Sequence, residues 1–351
     1  MDATIASILL LDGMTNAAIY ALLGLATVLV FSVTRIIFVP QGEFVTYGAL
    51  TLAIFQTGQV PGTVWLLLLL ALLAALTEGW QHWQRQRAAV RALRSALQVM
   101  VVPGVIAAVA VWAAPQQLPL LVQAGLTLAI VAAFGPLVYR LAYQSLADAS
   151  SLVLLIVSVG VHFALTGLGL LFFGAEGYRN PMFWDERFTL AGLSITGLSI
   201  TGQTIIIGLS TLALMLLLWL FFERTLYGKA LRATAVNRLG ARLMGISSQS
   251  AGQLTLMMVA LIGALSGLLI SPTTTVFYDS GFLIGLKGFV AAVVGGLVSY
   301  PGAALGAVLV GVVEAFGSFW ASAFKEVIVF TLILPVLFWR SLRSGHSDEE
   351  H

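Results

Sequence analysis

The sequence predicts an all-α, polytopic membrane bundle of about nine to eleven transmembrane or re-entrant helices, with the N-terminus outside and the C-terminus inside. Three observations predict it. Of 351 residues, 59% are hydrophobic and 9% charged, and the mean hydropathy of +1.00 lies beyond that of water-soluble domains. The apolar runs are continuous and close to the ~20 residues a helix needs to cross hydrocarbon, unlike the alternating segments of about ten residues in an outer-membrane barrel. The basic residues gather on one side of these runs.

Taken in order, apolar candidates stand near 14–38, 42–57, 61–78, 97–114, 119–140, 150–173, 201–222, 252–271, 284–298, 302–317 and 322–339. Several are short, so the number of true crossings falls to nine if 42–57, or the pair within 284–317, only re-enters. The opening MDATIASILLLDGM lacks a basic start and does not resemble a cleaved leader. With the N-terminus outside, 13 of the 17 basic residues fall on cytoplasmic stretches, including Arg35, Arg85, Arg87, Arg91, Arg94 and Arg140. Arg179, Arg187 and Lys325 fall outside, and Lys287 lies within a run. The chain reads as one transmembrane domain, 1–340, with a polar cytoplasmic tail, 341–351. The stretch 174–188 reads as an external loop.

Composition also excludes functions. The absence of cysteine removes disulfides, thiolate metal sites and cysteine nucleophiles. The histidines form no metal-ligand pattern: His82 sits in a polar linker and His162 alone in an apolar run. A net charge of +2 gives no reason to expect nucleic acid as a partner. No nucleophile, base and acid recur at workable spacing, so no enzymatic reaction can be written. There is no G-x-x-x-x-G-K-[ST] phosphate loop, since Gly228-Lys229 is followed by Ala230.

Two regions carry candidate function. In the cytoplasmic loop of about 223–250, Leu231, Ala235, Leu239 and Leu243 recur every four residues, with Arg232, Asn237, Arg238 and Arg242 elsewhere on the turn. This predicts a short amphipathic helix ended by Gly245, lying on the membrane surface or docking a cytoplasmic protein. The second region, GLKGFVAAVVGGLVSYPGAALGAVLVGVVEAFG over 285–317, holds Lys287 and Glu314 among small apolar residues. A charge there costs about 2.5–3.5 kcal/mol on insertion scales, so it is expected to face a partner charge or a water-filled path. Ser299-Tyr300-Pro301-Gly302 interrupts the run, as two broken helices at membrane depth or as an ordinary hairpin. Upstream, Pro40 ends the first long helix, Gly42 permits a turn, and Glu43 falls in the first turn of the next helix, as a cap or as part of a path. In the path reading, Gln41, Gly42 and Glu43 face the 285–296 segment, with Lys287 paired to Glu43 or Glu314.

The order GKALRATAVNRLGARLMGI, then a helix bearing Gly263, Ser266 and Gly267, then the 285–317 segment, resembles the permease subunits of branched-chain amino acid ABC transporters. So does DGMTNAAIYALLGLATVLVF followed by Gly42-Glu43 and TYGA; the likeness spans roughly 12–60 and 136–340. The resemblance implies that the loop with Gly228, Lys229, Leu231, Arg232, Asn237, Arg238, Leu239, Arg242 and Gly245 docks an ATP-binding subunit. It also implies a second homologous permease, an extracytoplasmic solute-binding protein, a multi-pass place in the inner membrane, and ATP bound by partners with no cofactor in this chain. The expected solute is small and amphipathic, a branched-chain amino acid by default. Two departures stand out: Gln41 occupies the place of a histidine usual before Gly-Glu, and 97–140 reads as an extra apolar hairpin. The alternative is a carrier or channel acting alone on an ion gradient, with Glu43 or Glu314 carrying protons.

Overall fold

The computed structural model describes residues 3–86, 89–147, 149–189 and 199–344. Arg87 and most of the polar tail, 345–351, lie outside the described residues. Among the described residues the regular structure is helical apart from one two-stranded antiparallel ribbon, β1 (Arg187–Thr189) with β2 (Ser199–Thr201). Eight described stretches are long and apolar enough to cross a membrane. Two further helices of 16 residues each, Gln41–Gln56 and Ser280–Gly295, fall just short of a span, so the architecture agrees with the polytopic bundle read from the sequence.

Helix α1 (Ala3–Thr34) is the central post. It carries no charge after Asp12, and Leu22, Leu23, Ala26, Leu29 and Val30 are all buried. Helix α2 (Gln41–Gln56) follows, capped by Pro40, and α11 (Ser280–Gly295) has the same 16-residue length. At 1.5 Å per residue each is about 24 Å long, short of the ~30 Å hydrocarbon core. Protein covers α2 almost entirely, with 14 of its 16 residues buried, and covers one face of α11, with 8 of 16 buried.

The other walls are α3 (Gly62–Gln86), α4 (Ala89–Ala113), α5 (Leu120–Val138), α6 (Ser151–Phe173), α7 (Gly202–Arg224) and α10 (Ser248–Ile270). The stretch read as an extra hairpin supplies α4 and α5, and α5 is part of the core. Gly135 lies against the Leu256 backbone of α10, and Ile130, Val131 and Phe134 are fully buried. The linker before it continues α3 and begins α4 as helix.

The 285–317 segment is a hairpin whose first arm is short. Gly285 lies inside α11, not at a break; the turn comes at Gly296, whose φ of +100° is open to glycine, and at Leu297. Ser299 then caps α12 (Tyr300–Ala321), its Oγ accepting from Gly302 N at 3.1 Å, with Pro301 in the first turn. The chain reverses again at Ser322–Phe324 into α13 (Lys325–Thr331) and α14 (Ile333–Ser344), and Val329 packs with Ala307 and Val310 of α12. The loop after α6 is fastened down. Tyr178 bridges to Val276, and Asn180 Nδ2 donates to Ala49 O at 2.9 Å and to Ser271 Oγ at 2.8 Å.

Candidate functional site

The residues expected along a path separate into two buried clusters. In the first, Gln41 joins three helices: Thr27 donates to its Oε1 at 2.9 Å, while Nε2 donates to Leu23 O at 3.4 Å and Gly285 O at 3.3 Å. Gly42 crosses α11 backbone to backbone, where the Gly281 N–H also donates to Thr46 Oγ1 at 2.8 Å. Glu43, 1% exposed, stands in the first turn of α2 and pairs with His162 Nδ1 of α6 at 2.9 Å. The Phe282 ring packs on His162 with centroids 4.6 Å apart, and Tyr47 OH donates to Leu165 O at 2.7 Å.

In the second cluster Lys287 Nζ donates to Glu314 of α12 at 2.6 Å and to Glu326 of α13 at 3.1 Å. Tyr20 of α1 donates its hydroxyl to the other Glu314 oxygen at 2.5 Å, and Lys287 Nζ lies 5.9 Å from the Tyr20 ring centre. Lys287 and Glu314 are 5% and 7% exposed. An ammonium held between two carboxylates and a phenol is how a charge persists in such surroundings.

Lys287 is therefore paired to Glu314 and not to Glu43. Helical geometry decides this. Gly281 and Gly285, four residues apart, share the face turned to α2, and Lys287 lies two residues further, about 200° around the helix. His162 is the functional candidate the sequence reading passed over: a lone ionisable residue in an apolar run is itself the signal. Tyr20 and Glu326 gave none, the first being one aromatic among many and the second lying beside Lys325 in what read as an outside stretch.

The 223–250 loop forms two helices instead of one, α8 (Leu226–Val236) and α9 (Arg238–Leu243). Asn237 separates them because it prefers to cap: its φ of −147° is extended and its Oδ1 accepts from Gly240 N at 2.8 Å. Of the expected apolar stripe, Leu231 is inserted at 1% exposure and Ala235 packs half-buried on the core, while Leu239 and Leu243 stand at 68% and 81%. Thr225 caps α8 by accepting from Gly228 N at 3.0 Å, and Gly228 sits against the Phe221 backbone. The loop is tied down through Arg232 to Glu223 at 3.0 Å, Arg238 to Ala147 O at 2.8 Å and Arg242 to Ser248 at 2.8 Å. Gly245, with φ +84°, ends α9, and Lys229 is exposed.

A multi-pass bundle with charges paired inside it, short covered helices and a pinned, exposed loop is the architecture of a polytopic membrane protein. The particular family is shown by comparison: residues 95–337 match the branched-chain amino acid transport system / permease component family, and the chain belongs to it. The matched span takes in the 97–140 stretch. The high-affinity branched-chain amino acid transport system permease protein BraD of Pseudomonas aeruginosa is 33% identical over 226 residues, 63% of this chain and 74% of that protein. The permease proteins LivH of Salmonella typhimurium and Escherichia coli K12 are each 32% identical over 222 residues, 62% of this chain and 72% of theirs. No solved structure matches. Membership favours a subunit of a transport system over a carrier acting alone.

Proposed function

We propose that this chain forms part of the membrane path of an ATP-driven importer for a small amphipathic solute in the inner membrane, with leucine, isoleucine and valine the first solutes to try. ATP-binding subunits dock on α8–α9, a second homologous permease completes the path, and a solute-binding protein delivers from outside. The observation that carries this reading is the docking face. Leu226, Tyr227, Val236, Leu239, Leu243 and Met244 are each at least two-thirds exposed on a loop that its own capping and arginine contacts hold rigid. Apolar side chains offered on a braced scaffold with a basic rim suit a protein partner. The test is to tag the chain, solubilise membranes mildly and identify the proteins that co-purify. An ATP-binding subunit lost from the Leu239→Asp, Leu243→Asp double variant is the expected result; a crosslinked preparation of this chain alone overturns the proposal.

Within the path, we assign Gln41, Gly42 and Glu43 to one contact region and Lys287 with Glu314 to another. Glu43→Gln keeps a hydrogen-bonding group opposite His162 and removes the charge without stranding another, because a histidine can be neutral. The expected outcome is at least a tenfold fall in leucine uptake into vesicles, with the amount of assembled complex unchanged. Wild-type uptake by this variant places Glu43 outside the path.

A further inference from the structure

Between α1, α7, α8 and the start of α12 lies a cavity of about 670 Å³, separate from both charge clusters. Its size is that of a small-molecule site. The walls are apolar, drawn from Leu25 and Val33 of α1, Met215 and Trp219 of α7, Leu231 of α8 and Tyr300 of α12. Three charged side chains border it, Arg35, Glu223 and Arg232. Arg232 and Glu223 pair at 3.0 Å and offset each other. Arg35 does not share its charge with an acid: among the described residues its guanidinium has no ion-pair partner, and it lies 5.9 Å from the Phe31 ring.

The backbone at Arg35 makes its side chain informative. It sits just past α1 with φ +61°, its N–H donating to Phe31 O at 2.9 Å, the helix-ending geometry that glycine adopts without strain. A strained conformation retained by a bulky cation points to a use for the cation. The cavity lies at the end of the bundle that carries α8 and the basic loop, the cytoplasmic side by the charge distribution, where α1 and α7 end and α12 begins. An apolar chamber opening there, with one surplus positive charge at its mouth, complements a molecule that is a hydrocarbon chain at one end and a phosphate at the other.

We propose that this cavity seats an anionic phospholipid of the cytoplasmic leaflet, an acyl chain lying along Leu25, Met215 and Trp219 and the headgroup phosphate on Arg35, with Arg232 beside it. Neither the permease family nor the docking of partners on α8–α9 is needed for this assignment.

The experiment is native mass spectrometry of the full chain, with whatever subunits accompany it, exchanged into detergent and titrated with phosphatidylglycerol or phosphatidylcholine. One arginine near a headgroup is expected to favour phosphatidylglycerol about fivefold. Arg35→Gly, which relieves the backbone and so should fold at least as well, is expected to abolish that preference while phosphatidylcholine still binds. Ala304→Trp fills the chamber from α12 and is expected to weaken both lipids at least tenfold. Equal binding of the two lipids by the unaltered chain overturns the proposal, as does a preference that survives Arg35→Gly. Adducts undiminished in Ala304→Trp do the same. If either variant instead releases a second permease subunit and leaves lipid adducts intact, the chamber is a subunit interface and the proposal fails.

Discussion

Lys287→Met is expected to leave less than about a tenth of the wild-type amount of folded chain in the membrane. The substitution strands Glu314, whose side chain is 9% exposed, and takes from Glu326 its closest cation. Removing one partner of a buried pair costs about 3–5 kcal/mol, a large part of the roughly 5–15 kcal/mol by which a protein is stable. Hydrocarbon cannot solvate the remaining carboxylate as water does. Pairing the change with Glu314→Gln should restore the amount, because the amide still accepts the Tyr20 hydroxyl and no charge is left unpaired at that position. Gel filtration of a fluorescent fusion reads both amounts. A buried ion pair that an apolar replacement could match in stability is kept for another reason, so the repaired double variant is expected to take up less than about a tenth of the wild-type solute. Full uptake by the double variant makes the cluster a clamp between α11, α12 and α13 and removes it from the path.

How much of this was legible follows from what each signal measures. Hydropathy reads length and burial, so α1, α10 and the long walls were visible, and Glu43 was placed correctly in a first turn because Pro40 and Gly42 act locally. What the chain writes only through tertiary contact was hidden. Lys287 and Glu314 were visible as charges out of place, but their pairing depends on which face of α11 meets which neighbour. His162 and Glu43 are 119 residues apart and no local rule connects them. The 223–250 loop shows the converse case. A four-residue repeat of Leu231, Ala235, Leu239 and Leu243 promised one helix, but only its first half has a core to bury against, and beyond Ala235 a capping asparagine that satisfies an otherwise orphan N–H outweighs the exposed Leu239 and Leu243. The 97–140 stretch read only as an extra apolar hairpin because a sequence carries no mark of which apolar helix faces its neighbours on every side; Gly135, pressed on the Leu256 backbone, puts α5 in the core.

Gly281→Val is expected to abolish assembly altogether, measured as the loss of a monodisperse peak and of all uptake. The crossing of α2 and α11 is a backbone contact: a Cβ on Gly281 would lie 2.0 Å from the Gly42 carbonyl oxygen and 2.2 Å from Thr46 Oγ1, and a Cβ on Gly42 would lie 2.2 Å from the Gly281 oxygen. Side chains can swing aside from an intruding methyl, but carbonyls inside helices cannot, so the helices must separate by more than the 1–3 kcal/mol typical of overpacking. Separation also removes what the crossing holds. Gln41 loses its bond to Gly285 O, the Gly281 N–H loses Thr46, and Glu43 is drawn away from His162, leaving polar groups unpaired where water is scarce. Gly281→Ala should be damaged less than valine, since one methyl demands a smaller displacement. Gly160→Val on α6 is the control: that glycine is exposed, nothing lies within 4 Å of its Cβ position, and its replacement is expected to change neither amount nor uptake. A Gly281→Val protein that accumulates and transports like wild type would mean that α2 and α11 do not cross at this point, and the site built on that crossing would fall with it.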